Sequence, residues 1–493
     1  MGMSSWTMRA IPSLNVSSQR FLAAFLCGLA LLGSVRAGSA LAQGHLQQAF
    51  IIAYLPWLLL LLAGWRGNGL GVLPLIVILA WIPLPLEIPQ IPLTGQMTLA
   101  EGVVVLMVIL TLVQLLMRQG KQVCGRLRTT PLLLLTLFAA GGLIATSQSS
   151  SKVLAFVQWR ILCISGLAIL YLCMRLIQSV ETAMVLVRAA VINVILFTMF
   201  LGIAAFAGLV KPFDYFEGQM RFAPSVRLGP LAWQLYANQL GGLVGAALPF
   251  VFVYGLSTNS FRGRVVAVIG AGVLGTALIL SNGRAATIGV GLALVLVIVL
   301  SLVKHSVASL GSALVLLGAA VGFGMLGAFY ASRESLALYR WQDLLSYPLA
   351  DYNVSSRIRL AGYGWDLAVK NPWGIGFYSF KQFYLVGVHN LYLDILHGTG
   401  FLGAISLLSL TLFCLWRCWR GLQARDPRVR QLCIGGLGFF VVTAASAMAE
   451  PQLIATYSQM LVFWVVFGAI VVATYVADDS PSELSDIPRE DCG

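Results

Sequence analysis

Charged residues are what this chain has least of. Asp, Glu, Lys and Arg make up 10% of its 493 residues, where a soluble domain carries about a quarter. That scarcity excludes an ordinary water-soluble fold. Paired cysteines are missing too. Cys27, Cys163, Cys173 and Cys414 lie in apolar runs, the others fall singly elsewhere, and no CxxC pair occurs. Neither a metal knuckle nor a disulfide framework is indicated. The Walker loop, the GxSxG elbow and the HExxH helix are all absent, which argues against ATP hydrolysis and against serine or zinc hydrolases. The 31 basic residues outnumber the 18 acidic ones, giving a net charge of +13. They are scattered among apolar runs with no basic-aromatic stripe, so no nucleic-acid partner is expected.

Hydrophobic residues, by contrast, reach 59%, with a mean hydropathy of +0.88 and 50 glycines. A hydrocarbon core about 30 Å thick needs about 20 apolar residues per crossing. Suitable runs lie near 21–39, 49–64, 69–87, 98–117, 131–147, 153–174, 182–210, 231–256, 264–281, 285–303, 307–330, 391–416, 431–449 and 453–476. The first also fits a secretory signal, with Arg20, an apolar 21–33 and Ala40-Leu41-Ala42. The expected fold is all-α: a polytopic transmembrane helix bundle of about 12–14 spans, in which small residues let helices approach closely. Basic clusters (Arg118 to Arg128, Arg262 and Arg264, Lys304, Arg417 to Arg430) all fall on one side if the spans alternate. By the positive-inside rule that side is cytoplasmic. The segments near 88–97, 211–230, 282–284, 331–388 and 450–452 are then outside, and 331–388 is a large periplasmic loop expected to hold short helices. The organisation is N-terminal spans in 1–210, a core region in 211–476 including that loop, and an acidic, disordered cytoplasmic tail in 477–493.

The outer loop carries Arg333, Arg340, Arg357, Arg359, Lys370 and Lys381 and ends at His389-Asn390. Positive charge is scarce on that side of a membrane, so these residues point to an anionic substrate, a phosphate above all. Residues 360–370 read as an amphipathic helix, and Asn371-Pro372-Trp373-Gly374-Ile375-Gly376 as its stop and turn. A histidine before a membrane helix sits at the water interface, where an imidazole can accept a proton at neutral pH. The plainer alternative is that Asn390 caps the helix and His389 is merely interfacial. Arg284 interrupts an apolar stretch at Ser281-Asn282-Gly283-Arg284. It is either a functional cation or a turn residue snorkelling to headgroups. Arg160, inside a span, needs a partner and is equally compatible with a structural role. Arg221 and Arg227 add positive charge in 211–230. The outer acids Glu87, Asp214, Glu217, Glu334, Asp343, Asp351, Asp366 and Glu450 show no tight metal-ligand spacing. Guanidinium groups match phosphate oxygens, so metal-free chemistry with no cofactor is expected.

His389-Asn390, followed by Gly400 and Gly403, resembles the signature of the O-antigen ligase and O-antigen polymerase superfamily. The preceding arginine, Pro372 and Gly374-Ile375-Gly376 look like that family's approach to its histidine, and Ser281 to Arg284 is similar to its arginine-bearing interruption. Asn238, after Arg221 and Arg227, matches a looser family segment. The resemblance covers about 220–470. It implies an inverting, metal-independent membrane glycosyltransferase of the bacterial inner membrane, its active site facing the periplasm. The glycan would pass from a polyprenyl (undecaprenyl) diphosphate to an acceptor glycan or lipid A-core. His389 would be the base, and Arg284 with Arg357 or Arg359 the diphosphate clamp. Asn390, Asp394, Arg221 and Arg160 would be further substrate-site residues, and Gly400 and Gly403 the motif glycines. Two positions depart from the pattern. His397 stands where many relatives carry an acid before the glycine, leaving Asp394 as its substitute, and Arg357 and Arg359 compete for one family position. A ligase is preferred. A polysaccharide polymerase would use the same chemistry, and an anion or bicarbonate transporter is the rival of another class.

Overall fold

A peptide backbone in hydrocarbon must bond to itself, and a helix does so within one segment. The apolar runs follow that rule. The computed structural model describes residues 102–105, 107–109, 129–206, 211–216, 219–228, 231–234, 237–281, 283–304, 308–331, 352–377, 379–384, 389–448 and 457–479. All of them belong to the unit Ile76–Gly493. Among them, nine helices are long and apolar enough to cross a membrane. The expected spans near 21–39, 49–64 and 69–87, most of 98–117, and the tail beyond Asp479 lie outside the described residues.

In chain order the elements begin with α1 (Thr129–Gln148). The next span is continuous through α2 (Lys152–Trp159), one π-helical turn (Arg160–Ile164) and α3 (Ser165–Leu176). After α4 (Val180–Phe206) come strands β1 (Lys211–Phe216), β2 (Gln219–Leu228) and β3 (Leu231–Gln234). Helices α5 (Ala237–Ser257), α6 (Phe261–Ser281), α7 (Arg284–Lys304) and α8 (Ala308–Ala331) follow. The expected outer loop holds α9 (Tyr352–Lys370) and the short α10 (Ser379–Tyr384). Three long helices close the chain: α11 (Leu391–Gly421), α12 (Pro427–Ala447) and α13 (Tyr457–Asp479).

Glycines set how closely these helices meet. A Cβ on Gly245 would reach Val442, one on Gly438 would reach Pro249, and one on Gly435 would reach Phe250, so α5 and α12 run antiparallel. Gly289 of α7 abuts Val442 and Ala445 of α12 in the same way. At one end of the bundle Arg428 of α12 lies 3.8 Å from Glu181 of α4, and Arg417 of α11 lies 2.7 Å from Asp478 of α13. The start of α6, with Arg262 and Arg264, stands there too, because Gly263 packs on Tyr254 near the end of α5. These basic clusters therefore share an end. The opposite end carries the start of α11, the end of α12 and the break between α6 and α7.

The helical architecture is as expected, with one small addition and one shifted boundary. Strands β1, β2 and β3 form an antiparallel sheet in that order. The span expected from 231 begins as a helix only at Ala237, because 231–234 pairs with β2 instead. Strand β2 lies against α5 and α6.

Arg417 is also not a loop residue. It is 6% exposed within α11. Its Nε donates to Thr474 Oγ1 at 3.2 Å, and its guanidinium lies 4.2 Å from the Tyr475 ring centre. Such a desolvated cation–π contact is worth about 2 kcal/mol, and the arginine stem adds packing. Asp478 is 55% exposed, so its side of the pair is screened by solvent. Arg417→Ala is therefore expected to lower thermal stability in detergent clearly more than Asp478→Ala. Equal shifts in melting temperature would assign the effect to the ion pair alone.

Candidate functional site

The site region is built around a break in α11. Gly400 has φ 67° and ψ −177°, a conformation essentially reserved for glycine. There the helix cannot form its own bond from Phe401 N–H to the carbonyl of His397. Two groups of the turn after α9 take over. Phe401 N–H donates to Pro372 O at 2.9 Å, and Ile375 N–H donates to His397 O at 2.7 Å. Each orphaned backbone group thus finds a partner, as a buried chain requires. The turn can approach so closely because its own glycines lack a Cβ: one on Gly374 would stand 2.5 Å from Gly400 N, and one on Gly376 2.8 Å from Ser149 Cβ. Both have positive φ, 84° and 83°. Behind the break, α1 packs on α11 through Gly141, whose added Cβ would lie 2.6 Å from Gly403 N. The helix stop read from Asn371-Pro372 is present, and it extends into a backbone splice.

Ten residues before Gly400 the side chain of Asn390 accepts from Leu393 N–H at 3.2 Å. It is the N-cap of α11, and its Nδ2 donates to Met448 O at 3.3 Å. Tyr392 Oη donates to Ala444 O at 3.1 Å. The start of α11 is thereby tied to the end of α12. His389, immediately before the cap, is half-buried with φ 52°, the one positive-φ residue other than glycine among those described. Histidine is among the few side chains enriched in that region.

Asp394 lies in the first turn of α11, and its Oδ1 is 3.2 Å from His397 Nε2. The His397 ring stacks on Phe380 at 5.3 Å, Phe380 on Tyr384 at 4.7 Å, and Tyr384 on Tyr363 of α9 at 5.1 Å. Four rings therefore connect α9, α10 and α11. Composition and spacing did not reveal this ladder, because Tyr363, Phe380 and Tyr384 are separated in the chain from His397 and unremarkable singly.

Arg284 is the first residue of α7, half-buried behind a two-residue break. Gly283 N–H donates to Ser281 Oγ at 3.3 Å, and Thr287 Oγ1 donates to Gly283 O at 3.1 Å, so the break has its own local capping. Gly289 marks where α7 meets α12 near Ala445. Arg284, five residues earlier, stands about 7.5 Å nearer the end of the bundle. Arg284 and His389 thus flank the same end of α12.

On α9, Arg357 shares the inward stripe with buried Gly364 and Ala368, whereas Arg359 is exposed beside exposed Tyr363 and Asp366. Residues two apart on a helix face opposite ways, and α9 packs on α11, so the inward arginine is Arg357. Arg160 opens the π-helical turn in the interior of its span and is half-buried. Arg221 lies opposite Asp214 in the β1–β2 register. Among the described residues no group of three His, Cys, Asp or Glu gathers as a metal site. Compared with models of known protein families and with curated proteins, the sequence matches none.

Proposed function

We propose that the protein is a membrane glycosyltransferase of O-antigen ligase type, acting on a polyprenyl diphosphate-linked glycan at the outer face of the bacterial inner membrane. The observation that carries this reading is the placement of Arg284 and His389 beside the same end of α12, opposite the basic clusters. Positive charge gathered at the far end supports a cytoplasmic assignment there, which leaves His389 and Arg284 outside.

His389 takes the proton of an acceptor hydroxyl as that oxygen attacks the anomeric carbon. The glycosyl–phosphate bond breaks, and the electron pair leaves with the diphosphate. Arg284 and Arg357 hold the diphosphate and stabilise the charge that develops on it, a preorganised electrostatic contribution. Arg357 is preferred over Arg359 because it shares the face of α9 that packs inward. The apolar crevice lined by Val191, Val194, Gly242, Ala246, Phe439 and Phe463 is suited to the polyprenyl tail. Its upper residue Gly242 follows Gly241, which packs against Ser281 and Gly283 just before Arg284.

Purified protein incubated with an undecaprenyl-diphosphate oligosaccharide and candidate acceptors tests this directly. A single-step shift in product size identifies a ligase and a ladder a polymerase. Solute flux without product would replace this reading by an anion transporter. In the same assay Arg284→Ala is expected to weaken donor binding by at least tenfold, since charge-assisted bonds to phosphate are worth about 1.5–3 kcal/mol. Unchanged donor affinity would remove Arg284 from the clamp.

A further inference from the structure

One buried imidazole is not used by the proposed mechanism. His397 is 1% exposed, and among the described residues neither ring nitrogen has a hydrogen-bond partner. Buried polar side-chain atoms are nearly always satisfied, and an exception calls for an explanation. Nε2 does lie 3.2 Å from Asp394 Oδ1, close enough for electrostatic attraction without the alignment of a hydrogen bond. Phe380 fixes the ring plane, and the His397 carbonyl accepts from Ile375 N–H. His397 is therefore an immobile brace against one carboxylate oxygen. Asp394 is 17% exposed, and a carboxylate has acceptor capacity for several donors.

Asn390, Asp394 and His397 recur at i, i+4 and i+7, so they line one stripe of α11. That stripe begins directly after His389. His389 stands just outside the helix, and Asp394 lies three residues beyond Leu391, about 4.5 Å of helix rise into α11. Two side chains reaching from those positions can engage neighbouring hydroxyls of one sugar ring.

We propose that Asp394, held by His397, binds a hydroxyl of the acceptor sugar next to the one that His389 deprotonates. This deepens the glycosyl-transfer reading and rests on it. A sugar offers uncharged O–H donors at fixed spacing, and a pinned carboxylate accepts one of them in a charge-assisted bond. Asp394 touches the substrate. His397 is a positioning residue, acting only through the carboxylate.

The test uses the full-length protein in lipid nanodiscs, an undecaprenyl-diphosphate oligosaccharide as donor and a core oligosaccharide as acceptor. Asp394→Asn is expected to raise the acceptor KM about tenfold, with donor KM unchanged and kcat nearly retained. Asp394→Glu recovers part of that loss, and His397→Gln shifts acceptor KM the same way by less. A purely structural pair would instead lower the melting temperature and depress every kinetic constant together. An unchanged acceptor KM, or a fall in kcat alone, overturns the assignment, and Asp394→Glu decides the matter if Asp394→Asn fails to fold. Direct binding of the core oligosaccharide separates the two readings. Asp394-dependent sugar binding without transfer keeps this site and rejects the transferase, whereas transfer with an unaltered acceptor KM does the reverse.

Discussion

Replacing His389 by alanine is expected to reduce glycan transfer by about 10²–10⁴-fold, the usual contribution of a positioned general base. Donor binding should be nearly unaffected, because the diphosphate is assigned to Arg284 and Arg357. The backbone complicates a simple alanine experiment. His389 sits at φ 52°, where alanine is less comfortable than asparagine or histidine. His389→Asn is therefore the cleaner variant, keeping a side chain that tolerates this conformation while removing the imidazole. Both variants should be inactive with melting temperatures within a few degrees of the parent. Transfer retained by a well-folded His389→Asn protein would remove this residue as the base. Loss of transfer accompanied by unfolding would show instead that the residue serves the entry of the chain into α11.

The second large effect is expected at a position with no chemistry of its own. Gly400→Ala places a methyl group 2.5 Å from the carbonyl carbon of Trp373 and 2.7 Å from Pro372 O, at a backbone angle that side chains rarely adopt. Strain in that region costs about 1–3 kcal/mol and overpacking about as much again. The clash also threatens both bonds that replace the missing helical one, Phe401 to Pro372 and Ile375 to His397. A loss of about 3 kcal/mol or more in unfolding free energy is expected, together with the ordered turn at 371–377. Gly362 on α9 provides the control. It is exposed with open space around its would-be Cβ, so Gly362→Ala should be neutral or slightly stabilising. Similar melting curves for the two variants would show that the splice at Gly400 is not what holds the turn.

Both predictions concern residues visible in the sequence, yet for different reasons than the structure supplies. Asn390 was readable as a helix cap because its acceptor side chain precedes a long apolar run, and it does cap α11. Its second bond, to Met448 O, joins segments far apart in the chain and left no local trace. Gly400 and Gly403 stood out as motif glycines. That one breaks α11 while the other admits the backbone of α1 is a matter of which segment lies against each. The β-ribbon is not legible in the sequence, because Leu231 to Gln234 is followed closely by an apolar run and hydropathy alone cannot separate a short strand from the start of a span. Arg417 reads as part of a basic loop cluster, since a window of hydropathy does not distinguish a helix's last turns from the loop beyond.

The amino-acid order by itself determined that this chain is built from apolar helices suited to a membrane, roughly where most of the long ones between 129 and 479 run, and that its basic residues are distributed unevenly. Apolar length and charge position are local quantities, and lipid leaves a spanning backbone few alternatives to a helix. The tertiary structure alone decided that a turn after α9 completes the broken hydrogen-bond ladder of α11, that Arg357 rather than Arg359 faces inward, and that the His397 ring stacks on Phe380 of α10. Those outcomes depend on which surfaces come into contact, and close backbone approach through glycine is set by a partner segment that no window of neighbouring residues contains.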